Sequence, residues 1–144
     1  MNWPSSGRRG AIVSRTLTLQ TLIDEHACPS QAELFDNTFG DSVEVTPELC
    51  LSVADKFDWD WAALHLLSSV AQADYVRAKA TAQADYDRAT APAQADYFRA
   101  TALASGKCYT ARADYDRAKA TAWADYVRAT AFAFGKCYAE GSQP

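Results

Sequence analysis

Ala71-Gln72-Ala73-Asp74-Tyr75-Val76-Arg77-Ala78-Lys79-Ala80-Thr81 decides the fold, because it returns with small changes from Ala82, Ala93, Ala111 and Ala122. The shared pattern, A-x-A-D-Y-x-R-A-[KT]-A-x, is eleven residues long. Two further stretches align with it. Ala104-Ser105-Gly106-Lys107-Cys108-Tyr109-Thr110 is a unit cut to seven residues, and Ala133-Phe134-Gly135-Lys136-Cys137-Tyr138-Ala139 is a terminal one. In both, Gly stands for the third-position Ala, Lys for Asp and Cys for the repeated Tyr.

Eleven residues complete three turns at ~3.67 residues per turn, which a slightly unwound α-helix meets. The shortened unit preserves the phase, because eleven and seven residues together make about five turns at ~3.6 residues each. Alanine is the strongest helix former and a poor strand residue. Positions one, five and eight (Ala, Tyr, Ala) then lie within about 70° of one another and form a Tyr/Ala stripe. Its rings are Tyr75, Tyr86, Tyr97, Tyr115 and Tyr126. Positions three and ten, both Ala, lie opposite, beside a variable sixth position occupied by Val76, Asp87, Phe98, Asp116 and Val127. Asp at position four and Arg at position seven are close enough to pair, as a polar seam between the two faces. Two apolar faces imply neighbours on both sides. As a single rod, residues 71–139 would extend roughly 100 Å at about 1.5 Å per residue. Pro92 and Gly106 are the places where the rod can kink or fold back.

The preceding part is chemically different. Residues 1–70 hold 4 basic and 10 acidic residues, whereas residues 71–144 hold 10 basic and 8 acidic residues, with 23 alanines and all seven tyrosines. Such a change marks a boundary between two kinds of structure. The organisation expected is a flexible N-terminus (1–13), an acidic helical module (14–70), the helical repeat (71–139) and a short tail (140–144). The fold class expected is all-α.

Within the module, Thr16 to Ala27 carries Leu17, Leu19, Leu22 and Ile23 as a short amphipathic helix ended by Pro29. Ser30-Gln31-Ala32-Glu33 has the form of a capping box, opening a helix that runs to Phe39 and stops at Gly40. Residues 42–45 suit a short strand or an extended link. Thr46-Pro47-Glu48 is a start signal, with Leu49, Val53 and Phe57 on one face beyond it. Asp58 caps a last helix through Leu67 that carries Trp59, Trp61 and Leu64.

The runs Phe39-Gly40-Asp41-Ser42-Val43-Glu44-Val45-Thr46 and Phe57-Asp58-Trp59-Asp60-Trp61-Ala62-Ala63, followed by the A-x-A-D-Y-x-R units, resemble a group of uncharacterised bacterial and phage proteins. The resemblance covers residues ~30–132 and carries no activity with it. It implies a mobile or phage-borne context, and with it interference with a host machine.

Several function classes are disfavoured. The longest uncharged stretch, Trp61 to Ala73, falls short of the ~20 apolar residues of a spanning helix. Arg8-Arg9 is followed by only Ala11-Ile12-Val13 before Ser14-Arg15, so no export-signal core is present and a cytoplasmic location is expected. Neither a nucleophile elbow, a phosphate loop nor H-E-x-x-H occurs, so a non-enzyme without cofactor is expected. Cys28, Cys50, Cys108 and Cys137 form no C-x-x-C pair, and with His26 and His65 they match no established metal spacing. Cys108 and Cys137 share a helix face, and can bridge only between two chains or across a hairpin. The repeat arginines are matched by nearby Asp, which repels phosphate, so direct nucleic-acid binding is not indicated. Threonine spacing is too irregular for an alanine-rich antifreeze helix.

The reading that remains is a protein-interaction or scaffold protein. It self-associates through the five stripe tyrosines and offers Asp58, Trp59, Asp60 and Trp61 to a protein partner. The alternative is an acidic decoy that inhibits a host nuclease or defence complex. A catalyst with a scattered site is the remaining option.

Overall fold

The computed structural model describes residues 14–102 and 108–141. The expected flexible N-terminus, the Gly106 fold-back point and the last three residues of the tail lie outside the described residues. In chain order the elements are β1 (Arg15–Thr18), α1 (Leu19–Asp24), α2 (Pro29–Phe39), β2 (Ser42–Val45), α3 (Pro47–Ser52), α4 (Trp59–Leu66), α5 (Ser69–Ala102) and α6 (Cys108–Glu140). The protein is mostly α, with one two-stranded sheet.

The sheet corrects the expectation of a helix from Thr16. Thr16 and Thr18 are β-branched and flank an inward Leu17, a pattern that favours a half-buried strand. Arg15 to Thr18 pairs antiparallel with Ser42 to Val45, Leu17 standing opposite Val43. The helix begins only at Leu19, capped by the Thr18 hydroxyl, which accepts from the Thr21 amide at 3.1 Å.

The capping box at Ser30 does not form. Cys28 is the N-cap and makes no side-chain capping bond, because Pro29 already occupies the first turn, where its missing N–H costs nothing. At the far end Gly40 has φ +80°, a conformation open to glycine, and its amide donates to the Asp36 carbonyl at 2.8 Å. The other two start signals are as expected. Thr46 Oγ1 accepts from the Leu49 amide at 3.0 Å, and Asp58 Oδ1 accepts from the Trp61 amide at 3.0 Å. The face expected over Leu49, Val53 and Phe57 is not one helix, since α3 stops at Ser52. Val53 is nonetheless buried beyond its end, and Phe57 stacks on Phe39 with centroids 5.9 Å apart.

The last module helix does not run into the repeat unbroken. Leu67 ends α4 in an extended conformation, and Ser68 starts α5 by accepting the Ala71 amide at 3.2 Å. Gln72 seals this joint, its side-chain amide donating to the Leu64 and Leu67 carbonyls, each at 3.0 Å. From there α5 runs 34 residues straight through Pro92. The proline is therefore not the reversal point, and the chain turns back between Ala102 and Cys108. Helices α5 and α6 lie side by side and antiparallel, Tyr97 against Tyr115 at one end and Ala71 beside Gly141 at the other.

One hydrophobic core joins the module to the end of this hairpin. Leu17, Leu22, Phe35, Val45, Cys50, Val53 and Trp59 pack with Ala131, Phe134 and Tyr138 of α6. The Trp59 indole N–H donates to the Ala54 carbonyl at 2.8 Å, and its ring lies 5.6 Å from Phe134. Tyr138 donates its hydroxyl to the Thr16 carbonyl at 3.0 Å, and its ring carries the Arg15 guanidinium at 4.4 Å.

Gly135 explains why the terminal unit departs from the repeat. A Cβ there would lie 2.8 Å from Pro47 Cα, 2.9 Å from Cys50 Sγ and 2.9 Å from the Thr46 carbonyl oxygen. The alanine of the regular units would collide with the backbone of α3. Gly135→Ala is therefore expected to destabilise the fold by about 1–3 kcal/mol despite its better helix propensity. A shift of the urea midpoint measures this, and an unchanged or higher midpoint would contradict the packing described.

Candidate interaction surfaces

The stripe tyrosines share one edge of each long helix, and they meet within one chain. Tyr97 stacks on Tyr115 at 5.8 Å, and Tyr86 meets Tyr126 edge-on at 6.4 Å. Trp123 joins the middle pair, 6.2 Å from Tyr86 and stacked 5.1 Å from Tyr126. The Lys119 ammonium sits 4.3 Å from the Tyr115 centroid. Aromatic pairs in such geometries contribute about 0.5–1.5 kcal/mol each beyond the area they bury. Alanines between the rings allow the close approach, with Ala71, Ala82 and Ala122 all buried.

Tyr75, the first stripe residue, is engaged differently. It is only 3% exposed, and its hydroxyl donates to Asp60 Oδ1 at 2.9 Å while Lys79 Nζ binds Asp60 Oδ2 at 2.8 Å. Asp60 thus ties α4 to α5. Burial opposes its ionisation, but the hydrogen bonds from Lys79 and Tyr75 and the Lys79 charge outweigh that and hold its carboxyl below the usual range. Desolvation and the same carboxylate push the Tyr75 hydroxyl well above its ordinary value.

The other module residues expected at a partner surface have internal duties too. Asp58 is the α4 cap, and its amide donates to Gln31 Oε1 at 3.1 Å. Trp59 is core, while Trp61 is half-buried and stacks on His65 at 4.6 Å. The Asp–Arg seam forms as ion pairs Asp74–Arg77, Asp85–Arg88, Asp96–Arg99 and Asp114–Arg117, all solvent-exposed.

What lies open on the hairpin is a different set. Val76 is 62% exposed, Phe98 58% and Trp123 56%, and Tyr109 is exposed as well. The signal for the first two was in the sequence, at the sixth position of the unit on the face away from the stripe. On α6 that face is partly covered by the module, which buries Ala131 fully and packs against Val127. On α5 the alanines of that face, from Ala73 to Ala102, are exposed.

No group of three or more His, Cys, Asp or Glu among the described residues is arranged to hold a metal ion. All four cysteines are free thiols, Cys108 and Cys137 standing at opposite ends of α6. Burial pushes the Cys50 thiol up to about 12. No described helix is long and apolar enough to cross a membrane. No known family model, curated protein or solved structure matches the chain.

The Asp60 arrangement makes a signed pH prediction. A carboxyl whose folded pKa lies below its unfolded value of about 3.9 stabilises the fold above that value and loses the contribution as pH falls through the folded one. Asp60→Asn keeps an acceptor for Tyr75 and removes the charge. The variant should be less stable than the parent at neutral pH, by under about 1 kcal/mol because the pair is exposed. The difference should shrink as pH falls below the unfolded value and through the folded one. Urea midpoints at neutral and acid pH test this, and a gap that widens in acid would contradict it.

Proposed function

We propose that the chain is a non-enzymatic interaction scaffold. It self-associates through the Tyr/Ala stripe of its long helices and offers the acidic module and the outward faces of the hairpin to a protein partner. The observation that carries this reading is the set of large apolar side chains left mostly exposed on the hairpin, Val76, Phe98, Tyr109 and Trp123. Large aromatic side chains of this kind serve as anchors in protein interfaces.

The charge of the module supports a second reading, an acidic inhibitor of a nucleic-acid-handling host complex. Residues 14–70 hold ten Asp and Glu against Arg15 and Lys56 alone. Arg15 sits over Tyr138, and Asp60 takes its cation from α5 rather than from the module. Such a surface attracts basic partners, with strong salt dependence.

Affinity capture from host-cell lysate separates the two. The scaffold reading expects a reproducible partner lost with Val76→Asp and Phe98→Asp, both exposed positions of α5, with the helical signal intact. The decoy reading expects a nuclease or defence subunit that is released by high salt and retained by those variants. A capture profile identical for the parent chain, the two variants and high salt counts against both.

A further inference from the structure

We propose that the module holds a small-ligand site. An apolar cavity in its core takes the end of a short unbranched alkyl chain, and Asp58 at the rim meets a cationic head group. This goes beyond the scaffold reading and does not rest on it.

The cavity measures about 60 Å3 and lies between the sheet, α2, α3, α4 and the foot of α6. Every residue that lines it is apolar except Gln31 and Asp58. Five rings form one connected wall. Phe35 lies 5.2 Å from Phe39, Phe39 5.9 Å from Phe57, Phe57 6.0 Å from Trp59 and Trp59 5.6 Å from Phe134. The Cys50 thiol, which burial keeps protonated, serves as one more small apolar group. A polar group drawn inside would give up its water without gaining a partner, so the interior accepts hydrocarbon alone. Volume then decides the shape of the guest. Apolar cavities of about 150 Å3 take benzene. At less than half that size, this one has room for the end of a chain and not for a ring.

The cavity is not sealed. Phe39, Phe57 and Trp61 in its lining are only half-buried, so a chain with its end inside can lie along these rings and carry its head to the surface. Asp58 both lines the cavity and is exposed, which places it at the opening. Its Oδ1 accepts from the Trp61 amide at 3.0 Å, and its own amide donates to Gln31 Oε1 at 3.1 Å. Among the described residues Oδ2 has no hydrogen-bond partner. Residues 14–70 add nine further acids against Arg15 and Lys56. The rim therefore attracts a cation and repels an anion.

The test titrates the full chain with hexylammonium, 1-hexanol, hexanoate and benzylammonium, followed through the methyl NMR signals of Val45 and Val53, which line the cavity. Hexylammonium and hexanol should shift both signals saturably, hexanoate should bind about fivefold more weakly than hexylammonium, and benzylammonium should leave the signals unmoved. Asp58→Asn keeps a good helix cap and should remove the preference for the cation without changing hexanol binding. Ala62→Val, which adds two methyl groups to the lining, should abolish binding of both chains while the urea midpoint holds or rises. Those responses together support the site. No saturable shift with hexylammonium overturns it, as does equal binding of hexylammonium and hexanoate by the parent chain. Binding of benzylammonium at the same methyl groups, or binding that survives in a folded Ala62→Val, overturns it as well.

Discussion

The fold depends on the last two turns of α6 reaching back beneath the module. Residues 14–67 supply short helices and a two-stranded sheet, none of which can bury its apolar face alone. Phe134 and Tyr138 fill the space between Trp59, the sheet and α3, and Gly135 lets the α6 backbone come within contact of Pro47. Those side chains arrive there only because the hairpin returns α6 to the base of α5. The stripe contacts along the arm and the core at its foot are therefore one cooperative unit. Loosening the tyrosine pairs withdraws the residues that complete the module.

Charge organises the surface around that unit in two ways. Along the hairpin, Asp and Arg three apart neutralise each other locally, so the long helices carry little field, and each such exposed pair is worth only a few tenths of a kcal/mol. Among the described residues, no ion pair joins an acid of the module to a base of the module, and Asp60 pairs instead with Lys79 of α5 while also accepting from Tyr75. A stripe tyrosine thus doubles as a joint, fixing the angle at which α5 leaves the module.

The helical character of the repeat, its stripe and its Asp–Arg seam were legible from the sequence, because an eleven-residue period over many copies leaves little freedom to the backbone. Caps at Thr46 and Asp58 were legible for the same local reason. The strand at Arg15 to Thr18 was not: four residues with Leu17 between two threonines fit a helix start equally well, and only pairing with Ser42 to Val45 decides the matter. The capping box at Ser30 failed because Pro29 offered a competing start one residue earlier. The choice between rod and hairpin was also out of reach, since Pro92 lies exposed within a continuous α5 and does not mark the reversal. Trp59 and Asp60 also have contacts inside the chain, Trp59 in the core against Phe134 and Asp60 with Tyr75 and Lys79 of α5. Those contacts depend on α6 and α5 lying against them, which no local pattern encodes.

The repeat also supplies an internal control for what its second face is for. Helices α5 and α6 are built from the same unit, but only α6 has the module over its outward side. Where it is covered, the unit has changed: Gly135 stands for alanine against α3 and Phe134 enters the core, beside a regular Ala131 that is wholly buried. Where α5 is open, the regular alanines persist and the sixth position still carries Val76 and Phe98 rather than being uniformly polar. Phe98 there stands at 58% exposure. The asymmetry between two copies of one unit, one adapted to a neighbour within the chain and one still holding apolar side chains outward, is the physical basis for reading the uncovered side of α5 as a surface for another molecule.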